Sequence, residues 1–309
     1  MAVTAVQVKE LREKTNAGML DCKKALEETQ GNFEAAVEWL RVKGLSSAAK
    51  KAGRIAAEGL VYAFSTGKSG VVVEVNSETD FVSRNDAFKD FVKNIGNHVA
   101  QSPPATGDLL EQAYALNPSQ KLGDVLKETI SKIGENIVIR RVQKYELAGH
   151  GLVHTYVHGE GKIGVLIEAT AGSADGASKP EFKSFVQDVA LHIAAMNPMA
   201  ISSSELSPEV IAKEKEILKA KNLEEGKKAE MVDKIVEGQI RKFLAENCLL
   251  DQSFVKNPDI KVSELLKTTV KNIGADVTIK RFTRFELGEG IQKKQVDFAA
   301  EVAEQMKGH

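Results

Sequence analysis

Along the first 55 residues, apolar side chains recur every three or four positions, which is the spacing that places them on one face of a helix. Gly31 interrupts this pattern, and Asn32 directly after it is a preferred N-cap residue. The pattern predicts three short helices, followed by a helical or extended linker rich in alanine, glycine, serine and lysine. The apolar positions of the helices are Val8, Leu11, Met19, Cys22, Leu26, Phe33, Ala36, Val37 and Leu40.

Beyond the linker the period becomes two, which is typical of β-strands. Residues 59–64 and 70–76 flank the turn sequence STGKS and predict a β-hairpin. A loop, SETDFVSR, follows and leads into a helix that Asn85 or Asp86 caps and Pro103 ends. The pattern then predicts two further helices, at about 107–116 and 122–133, and a strand at 136–147.

This unit recurs further along the chain. A shift of 94 residues aligns 88–100 with 182–194, with 6 of 13 positions identical. A shift of 140 residues aligns 122–147 with 262–287, with 9 of 26 positions identical. Random pairing at average composition would give roughly one or two identities. The core is therefore predicted to be a tandem duplication of an α+β module with antiparallel sheets.

The second copy contains an insertion. The difference between the two shifts places 46 extra residues between about 195 and 261. They are rich in charge, have a helical pattern with Gly226 near a turn, and predict a helical hairpin at about 197–242. An apolar stripe on its second half offers a surface for self-association, and its members are Val232, Ile235, Val236, Gln239, Ile240, Phe243 and Leu244.

These patterns predict an α+β fold in four parts. They are an N-terminal helical bundle and linker at 1–55, a first core copy at 56–147, a second core copy with the hairpin at 148–290, and a C-terminal helical module at 291–309. Three helices of this size resemble the ubiquitin-associated type of bundle. The last module is a helix whose apolar face carries Val296, Ala299, Val302, Ala303 and Met306.

Charge and composition exclude several classes of protein. A net charge of -1 on 309 residues argues against a sequence-independent nucleic-acid binder, which needs a surplus of lysine and arginine. No apolar run approaches the roughly 18 residues that span a bilayer, and the N-terminus lacks the pattern of a signal peptide. Cys22 and Cys248 are far apart and have no CxxC partner, so we expect neither a disulfide framework nor a zinc site, and a cytoplasmic location.

Two glycine motifs do not support a nucleotide site. The GKS sequence at 67–69 lacks the glycine that a phosphate loop requires five residues earlier, where Tyr62 stands. Gly159, Gly161 and Gly164 match GxGxxG, but they lie between two predicted strands. The dinucleotide-binding motif needs a helix N-terminus at that point to hold the pyrophosphate. We interpret these glycines as turn residues.

The histidines do not predict a metal site either. His150, His154 and His158 belong to an alternating segment, and four residues along a strand span about 13 Å, too far for two ligands of one ion. His98 and His192 occupy equivalent helix positions in the two copies, which favours a structural role. No nucleophile, base and orienting group form a recognisable set. The sequence therefore predicts a protein without covalent catalysis, cofactor or metal.

One loop, at 79–82, carries a different signal. Phe81 lies between Asp80 and Val82 after Thr79, and it either packs locally or is exposed for a partner. The duplication provides an internal comparison, because the second copy has serine, alanine, aspartate and glycine at 173–176. The module therefore folds without an aromatic residue there. This favours Phe81 as an exposed contact residue.

Four motifs along the chain belong together. They are MLDCKKALEET at 19–29, TDFV at 79–82, IGENIVIRR at 133–141 and RFELGEGI at 284–291. In combination they resemble bacterial elongation factor Ts, and the resemblance covers essentially the whole chain. Departures from the family pattern lie in the region 200–230 and at Leu20, where the family varies in hydrophobic type.

The resemblance implies a guanine-nucleotide exchange factor for the GTPase elongation factor Tu in translation elongation. It implies that Phe81 enters an apolar pocket beside the partner's magnesium site, and that Asp80 and the rest of the Thr79–Val82 loop help to disturb the ion's coordination. It further implies that the C-terminal helix returns to the GTPase domain. The implied partner-binding residues are Arg12, Met19, Leu20 and Lys23 on the GTPase domain and His158 at a second contact.

Two other classes of function stay open at this point. The N-terminal bundle could serve a non-enzymatic adaptor that binds helices or ubiquitin-like proteins, with the core as its scaffold. A duplicated core with a distinctive loop speaks against that reading, since an adaptor would not need it. A phosphate-handling enzyme would rest only on the glycine motifs rejected above.

Overall fold

The computed structural model describes residues 3–15, 17–102 and 108–292. The predicted C-terminal helix, with its apolar face from Val296 to Met306, lies outside the described residues. The chain forms two compact units, and most contacts between residues lie within one unit or the other. Within the described residues, unit 1 comprises the chain up to Tyr62, the segment Val73–Val142 and the segment that starts at Glu286, and unit 2 comprises Ala63–Val72 and Gln143–Phe285.

The N-terminal part folds into three helices, as the apolar spacing predicts. They are α1 (Ala5–Thr15), α2 (Met19–Glu28) and α3 (Phe33–Lys51). The Asn32 side chain accepts a hydrogen bond from the Ala35 N–H at 3.0 Å, which confirms the predicted N-cap. The helix α3 continues into the predicted linker. Its inner face and those of α1 and α2 share a core of Val8, Leu11, Cys22, Ala25, Leu26 and Ala36.

The first core segment follows in the predicted order, apart from two local differences described below. Its central strand is buried from Gly70 to Ser77, in a three-stranded sheet. The elements are β1 (Glu58–Ser65), β2 (Ser69–Ser77), α4 (Asp80–Arg84), α5 (Asp86–Gln101), β3 (Ala113–Tyr114), β4 (Asn117–Lys121), α6 (Leu122–Ile133) and β5 (Ile137–Glu146), with sheet order β1-β2-β5.

The predicted helix at about 107–116 is wrong in the part that the structure describes. Leu109–Glu111 form a single 3-10 turn, in which the Asp108 carboxylate accepts the Leu110 N–H at 3.0 Å. The chain then forms a small antiparallel hairpin from β3 and β4, with Tyr114 buried. The apolar residues of this segment have helical spacing by coincidence. The structure here is determined by antiparallel pairing of β3 with β4, and the local apolar spacing of the sequence contains no sign of that pairing.

The second core segment repeats strands and helices around the insertion. The strands β6 and β7 pair antiparallel from Gly151 opposite Thr170 to His158 opposite Ile163, and α8 packs on both. Mixed helices and antiparallel strand pairs confirm the predicted α+β class. The elements are β6 (Gly151–His158), β7 (Ile163–Ala171), α7 (Ala174–Ser178), α8 (Pro180–Met196), α9 (Pro208–Glu224), α10 (Ala229–Asn247), β8 (Ser253–Phe254), β9 (Asn257–Lys261), α11 (Val262–Ile273) and β10 (Val277–Glu286), with sheet order β10-β7-β6.

The helices α9 and α10 form the predicted hairpin within unit 2. The stripe residues Val232, Val236 and Ile240 are buried against α9, where they contact Ile211 and Leu218. Where the hairpin leaves the core, its two ends lie side by side in a parallel bridge between Ala200 and Cys248. Backbone hydrogen bonds of 2.8–3.0 Å reinforce this neck, from Met199 to Asn247, from Leu249 to Ala200 and from Leu250 to Ile201.

Neither long helix has the character of a membrane span. The helices α3 and α10 have 19 residues each, and both interleave charged residues with apolar ones. Over the part of the chain that the structure describes, no helix combines the length and hydropathy needed to cross a bilayer.

His98 and His192 have the structural role that their equivalent positions predict. Both side chains are fully buried, on α5 and α8. The Nδ1 atom of His98 accepts the Ala115 N–H, and that of His192 accepts the Val255 N–H, each at 3.1 Å. Burial lowers the pKa of both imidazoles below its ordinary value, which favours the neutral ring whose unprotonated Nδ1 accepts these bonds.

A buried carboxylate ties the chain beyond β10 to the sheet of unit 1. The Glu74 side chain on β2 is fully buried and accepts Arg140 Nη1 and the Gly288 N–H, each at 2.9 Å, and also Arg141 Nε. Arg141 Nη1 donates in turn to Glu289 at 3.0 Å. Burial acts to raise the pKa of Glu74, but the Gly288 N–H and the two arginines outweigh it, so the pKa lies below its ordinary value.

Candidate functional site

Phe81 lies on a short helix at the end of a buried strand, and its side chain is 76% exposed. The segment predicted as a loop is in part helical, because α4 begins at Asp80 with Thr79 at its N-cap. Five residues are too few to show a helical period in sequence. Val82, the next residue, is only 8% exposed. The helix therefore buries one apolar side chain and presents the other to solvent.

Asp80 is held by a residue of its own helix. Its carboxylate forms an ion pair with Arg84 Nη2 at 3.1 Å, one helical turn away, and both side chains are largely exposed. Exposed pairs at this spacing contribute little to stability. A stronger positive partner could therefore take over the Asp80 carboxylate at small cost.

Thr79 is anchored from outside its helix. Its N–H donates to Glu135 Oε2 at 3.0 Å, and its hydroxyl donates to Glu135 Oε1 at 2.6 Å. Glu135 follows α6 directly, 56 residues away in sequence. Sequence reasoning missed Glu135, although one signal was present, since the residue 140 positions further on is Ala275.

An open groove runs beside Phe81, with a volume of about 290 Å³. The end of α6 forms its other side, and its lining combines apolar surface with one lysine. All of its lining residues belong to unit 1. They are Phe81, Val82, Asn85, Ala87, Lys132 and Ile133.

The predicted N-terminal contact residues lie at the junction of α1 and α2. Leu20 is 83% exposed and Met19 is 55% exposed at the start of α2. Lys23 is one turn further on and pairs with Glu27 at 3.7 Å, and Arg12 is exposed in the last turn of α1. The helix α3 packs against α6, so this bundle and the Thr79–Val82 segment belong to the same unit.

His158 belongs to unit 2 and ends β6. Its side chain is exposed, and its Nδ1 atom lies 3.1 Å from the Tyr156 hydroxyl. His154 is on the same strand, and burial lowers its pKa below the ordinary value. His150, His154 and His158 do not converge, and in the described part of the chain no three histidine, cysteine or carboxylate side chains form a metal-binding group.

The arrangement is suited to contact with another protein. It combines the exposed aromatic side chain of Phe81 on an anchored helix, a neighbouring groove and the exposed apolar pair Met19 and Leu20. Exposed apolar residues rimmed by polar ones are typical of protein interaction sites. Within the described residues, none of these groups is arranged as a nucleophile with a base.

Comparison with known proteins supplies the family. The family model for elongation factor Ts matches residues 78–289. Proteins named elongation factor Ts are similar over nearly the whole length of both chains. That of Bdellovibrio bacteriovorus is 66% identical over 309 residues, covering 100% of each chain. Those of Trichlorobacter lovleyi and Symbiobacterium thermophilum are 49% and 48% identical, covering 98% of each chain. The chain therefore belongs to the elongation factor Ts family, whose members are elongation factors of protein biosynthesis.

Proposed function

We propose that this protein is a guanine-nucleotide exchange factor that releases GDP from elongation factor Tu in the cytoplasm. The observation that carries the proposal is Phe81, a 76% exposed aromatic side chain on a helix whose N-cap residue is anchored by Glu135, in a chain of the elongation factor Ts family. The protein performs no covalent chemistry. Its contribution is binding energy.

The mechanism acts on the partner's magnesium ion. Magnesium bridges the phosphates of bound GDP and the GTPase, so disturbing its coordination removes much of the charge neutralisation that holds the nucleotide. Phe81 enters an apolar pocket beside that ion. Asp80 exchanges its pair with Arg84 for contacts near the ion's ligands, while Thr79 and Val82 hold the helix in place.

Binding of GDP and binding of the factor to the GTPase are thermodynamically linked, and this linkage determines how much binding energy the factor needs. The factor must bind the nucleotide-free GTPase more tightly than the GDP-bound form, and GDP then weakens binding of the factor by the same ratio. Each tenfold ratio corresponds to about 1.4 kcal/mol. Binding by Arg12, Met19, Leu20 and Lys23 to the GTPase domain supplies part of that energy. His158, on unit 2, contacts another domain of the partner.

The direct test is release of a fluorescent GDP analogue from purified elongation factor Tu, measured with and without this protein. Acceleration that saturates with the concentration of the factor is the expected result. An unchanged release rate at every concentration would refute the proposed function. Intact GDP at the end of the reaction, checked by chromatography, would distinguish exchange from hydrolysis or phosphate transfer.

The exposed pair at the start of α2 gives a prediction about affinity. Replacing Met19 and Leu20 with serine should raise the concentration of the factor at half-saturation by about tenfold or more, because exposed apolar anchors contribute chiefly to binding. The melting temperature should change little, since neither side chain is in the core. Val6→Ser is the matched control, because Val6 is also exposed in this bundle and has no assigned contact. Equal effects of the two variants would contradict the assignment.

The stripe residues Val232, Val236 and Ile240 pack against α9 within one chain, so they are not the self-association surface that the sequence suggested. We propose that the outer face of the hairpin, where Ile217 and Met231 are exposed, serves self-association instead. Replacing residues 212–242 with a short glycine-rich linker should leave the rest of unit 2 folded, because the neck at Ala200 and Cys248 already holds the ends together. If the full chain forms oligomers through the hairpin, light scattering should show a monomer for the shortened chain. A monomeric full chain would refute self-association.

The finer architecture is part of the proposal. We infer that the two core segments are tandem copies and that the N-terminal bundle is of the ubiquitin-associated type. Support comes from the shared element order and from the small hairpins, since β8 and β9 lie 140 residues after β3 and β4. In that reading the hairpin at about 197–242 is an insertion in the second copy, and residues 291–309 form a C-terminal module.

A further inference from the structure

Thr79, at the N-cap position of α4, does not cap the helix with its side chain. A threonine at the N-cap normally accepts a hydrogen bond from the N–H two or three residues later. Thr79 makes no such bond, and its hydroxyl donates to Glu135 instead. The corresponding residue 94 positions further on, Ser173, accepts the Gly176 N–H at 3.0 Å and caps α7 in the normal way.

A second carboxylate completes a reciprocal arrangement. Glu135 accepts the Thr79 N–H, while Glu78 accepts the Asn136 N–H at 2.6 Å. Each carboxylate therefore binds the backbone next to the other one. Asn136 is buried, and its side chain donates to the Arg54 carbonyl at 2.7 Å. We call the group of Glu78, Thr79, Glu135 and Asn136 the carboxylate clasp.

Folding of this module does not require the clasp. In unit 2 the equivalent chain segments meet directly, with the Gly172 N–H donating to the Asp276 carbonyl at 2.8 Å. Gly172 stands where Glu78 stands in unit 1, and Ala275 stands where Glu135 stands. The clasp and Phe81 are thus both found in the first segment and both replaced in the second.

The chain turn after α6 places Glu135 for this contact. Gly134 ends α6 in the left-handed conformation, with φ +90°, which favours glycine over residues with a Cβ. The next residue, Glu135, then reaches Thr79 with both carboxylate oxygens. Hydrogen bonds to an ionised acceptor are roughly twice as strong as neutral ones.

We infer that Glu135 is a positioning residue that sets the direction of Phe81 through Thr79. A helix of five residues has no stability of its own, so its orientation depends on its anchors. Glu135 fixes the orientation of the Thr79 side chain; without it that side chain turns so that its hydroxyl accepts the Val82 N–H, as the Ser173 hydroxyl accepts the Gly176 N–H. The first turn of α4 then rotates, and Phe81 with it. Glu135 itself needs no contact with the partner.

The kinetic test rests on the proposed function and uses the full chain with elongation factor Tu. Glu135→Ala should lower the maximal rate of fluorescent GDP release about tenfold or more. The half-saturating concentration should stay within about twofold, because the binding surfaces are intact. A merely structural role would reduce the amount of active protein, which shifts the apparent concentration and leaves the maximal rate unchanged.

Two variants serve as controls. Glu111→Ala removes a carboxylate from the same unit that pairs with Lys121 at 2.7 Å, and it should leave both parameters unchanged. Thr79→Val keeps the N–H and removes the hydroxyl, so it should give a smaller loss in the maximal rate. If both residues act through one contact, the double variant should be no slower than Glu135→Ala alone. Additive losses, or an unchanged maximal rate in Glu135→Ala, would overturn the inference.

A readout independent of activity separates this inference from the proposed function. The Thr79 amide hydrogen is bound by Glu135, so its exchange with solvent should accelerate about tenfold or more in Glu135→Ala and stay unchanged in Glu111→Ala. If the wild-type chain fails to release GDP, the proposed function is wrong and this measurement still decides the role of Glu135. An unchanged Thr79 amide would refute that role. If Glu135→Ala does not fold, Glu135→Gln and Thr79→Val test the same contact.

Discussion

Phe81→Ala is expected to slow GDP release from elongation factor Tu about 30-fold or more at saturating concentrations of the factor. The reason is that the Phe81 contact is proposed to form as the nucleotide is displaced, so the roughly 2 kcal/mol or more of an aromatic anchor is lost from the exchange step itself. The free energy of unfolding should change by no more than about 0.5 kcal/mol, because the side chain is 76% exposed. Stopped-flow release and thermal melting measure the two quantities.

Phe88→Ala is the matched control for that variant. Phe88 lies seven residues further on, on α5, and its side chain is fully buried. Its removal should cost about 3–5 kcal/mol of stability. The maximal release rate per folded molecule should then stay unchanged. The mechanism would be refuted by the opposite pattern, in which Phe81→Ala melts early and the folded fraction exchanges GDP at the wild-type rate.

Glu74→Ala is expected to lower the free energy of unfolding by about 3 kcal/mol. Removing one partner of a buried ion pair typically costs about 3–5 kcal/mol. Arg141 keeps its bond to Glu289, which places the expected loss at the lower end of that range. Here the Gly288 N–H and the Arg140 and Arg141 guanidinium groups lose their common acceptor. The segment after β10 should therefore detach from unit 1 first. Urea unfolding and proteolysis near Gly288 are the measurements.

Glu168→Ala is the control, because Glu168 is also buried but receives one arginine bond, from Arg281 at 2.7 Å. Its effect should be clearly smaller, since the Arg281 side chain is about half exposed and hydrates when its partner is lost. An equal loss in both variants would show that the contacts to Arg140, Arg141 and Gly288 add nothing.

The same carboxylate makes stability depend on pH in a defined direction. Because the pKa of Glu74 is lowered in the folded state, the unfolded state binds more protons in mild acid. The contribution of ionised Glu74 to the free energy of unfolding is fully present above pH 4.5, the ordinary pKa of glutamate. It is lost as the pH falls through the lower pKa that Glu74 has in the folded state. The wild-type protein should therefore lose more stability than Glu74→Ala below about pH 4.5.

Sequence patterns predicted the long elements because each has a local cause. Asn32 and Asn85 cap helices in the structure, and the alternating segment around His154 is a strand. The exposure of Phe81, which the comparison with residues 173–176 favoured, is confirmed. The predicted helix at about 107–116 is the main error, and it arose where pairing between strands overrode a weak apolar period.

The arrangement around Phe81 could not be predicted, because its causes are distant in sequence. Thr79 binds a residue 56 positions away, and Asn136 binds one 58 positions away. Neither contact leaves a periodic signal. The differences between the two halves, such as Ala275 in place of Glu135, did contain the information. These differences could be interpreted only after the structure showed the contacts that Glu135 makes in the first half.

The closed neck of the hairpin has a consequence for changes in chain length. Since Ala200 and Cys248 lie side by side, the segment between them begins and ends at one point of unit 2. The entropic contribution to the free energy of closing such a loop grows only slowly with its length, by about 0.6 kcal/mol for each doubling of the number of residues. A foreign domain with adjacent termini could therefore replace the hairpin, and new chain ends could be opened at Gly226. The pair Ala200 and Cys248 is therefore a site at which another folded domain can be inserted without separating the two ends of the chain.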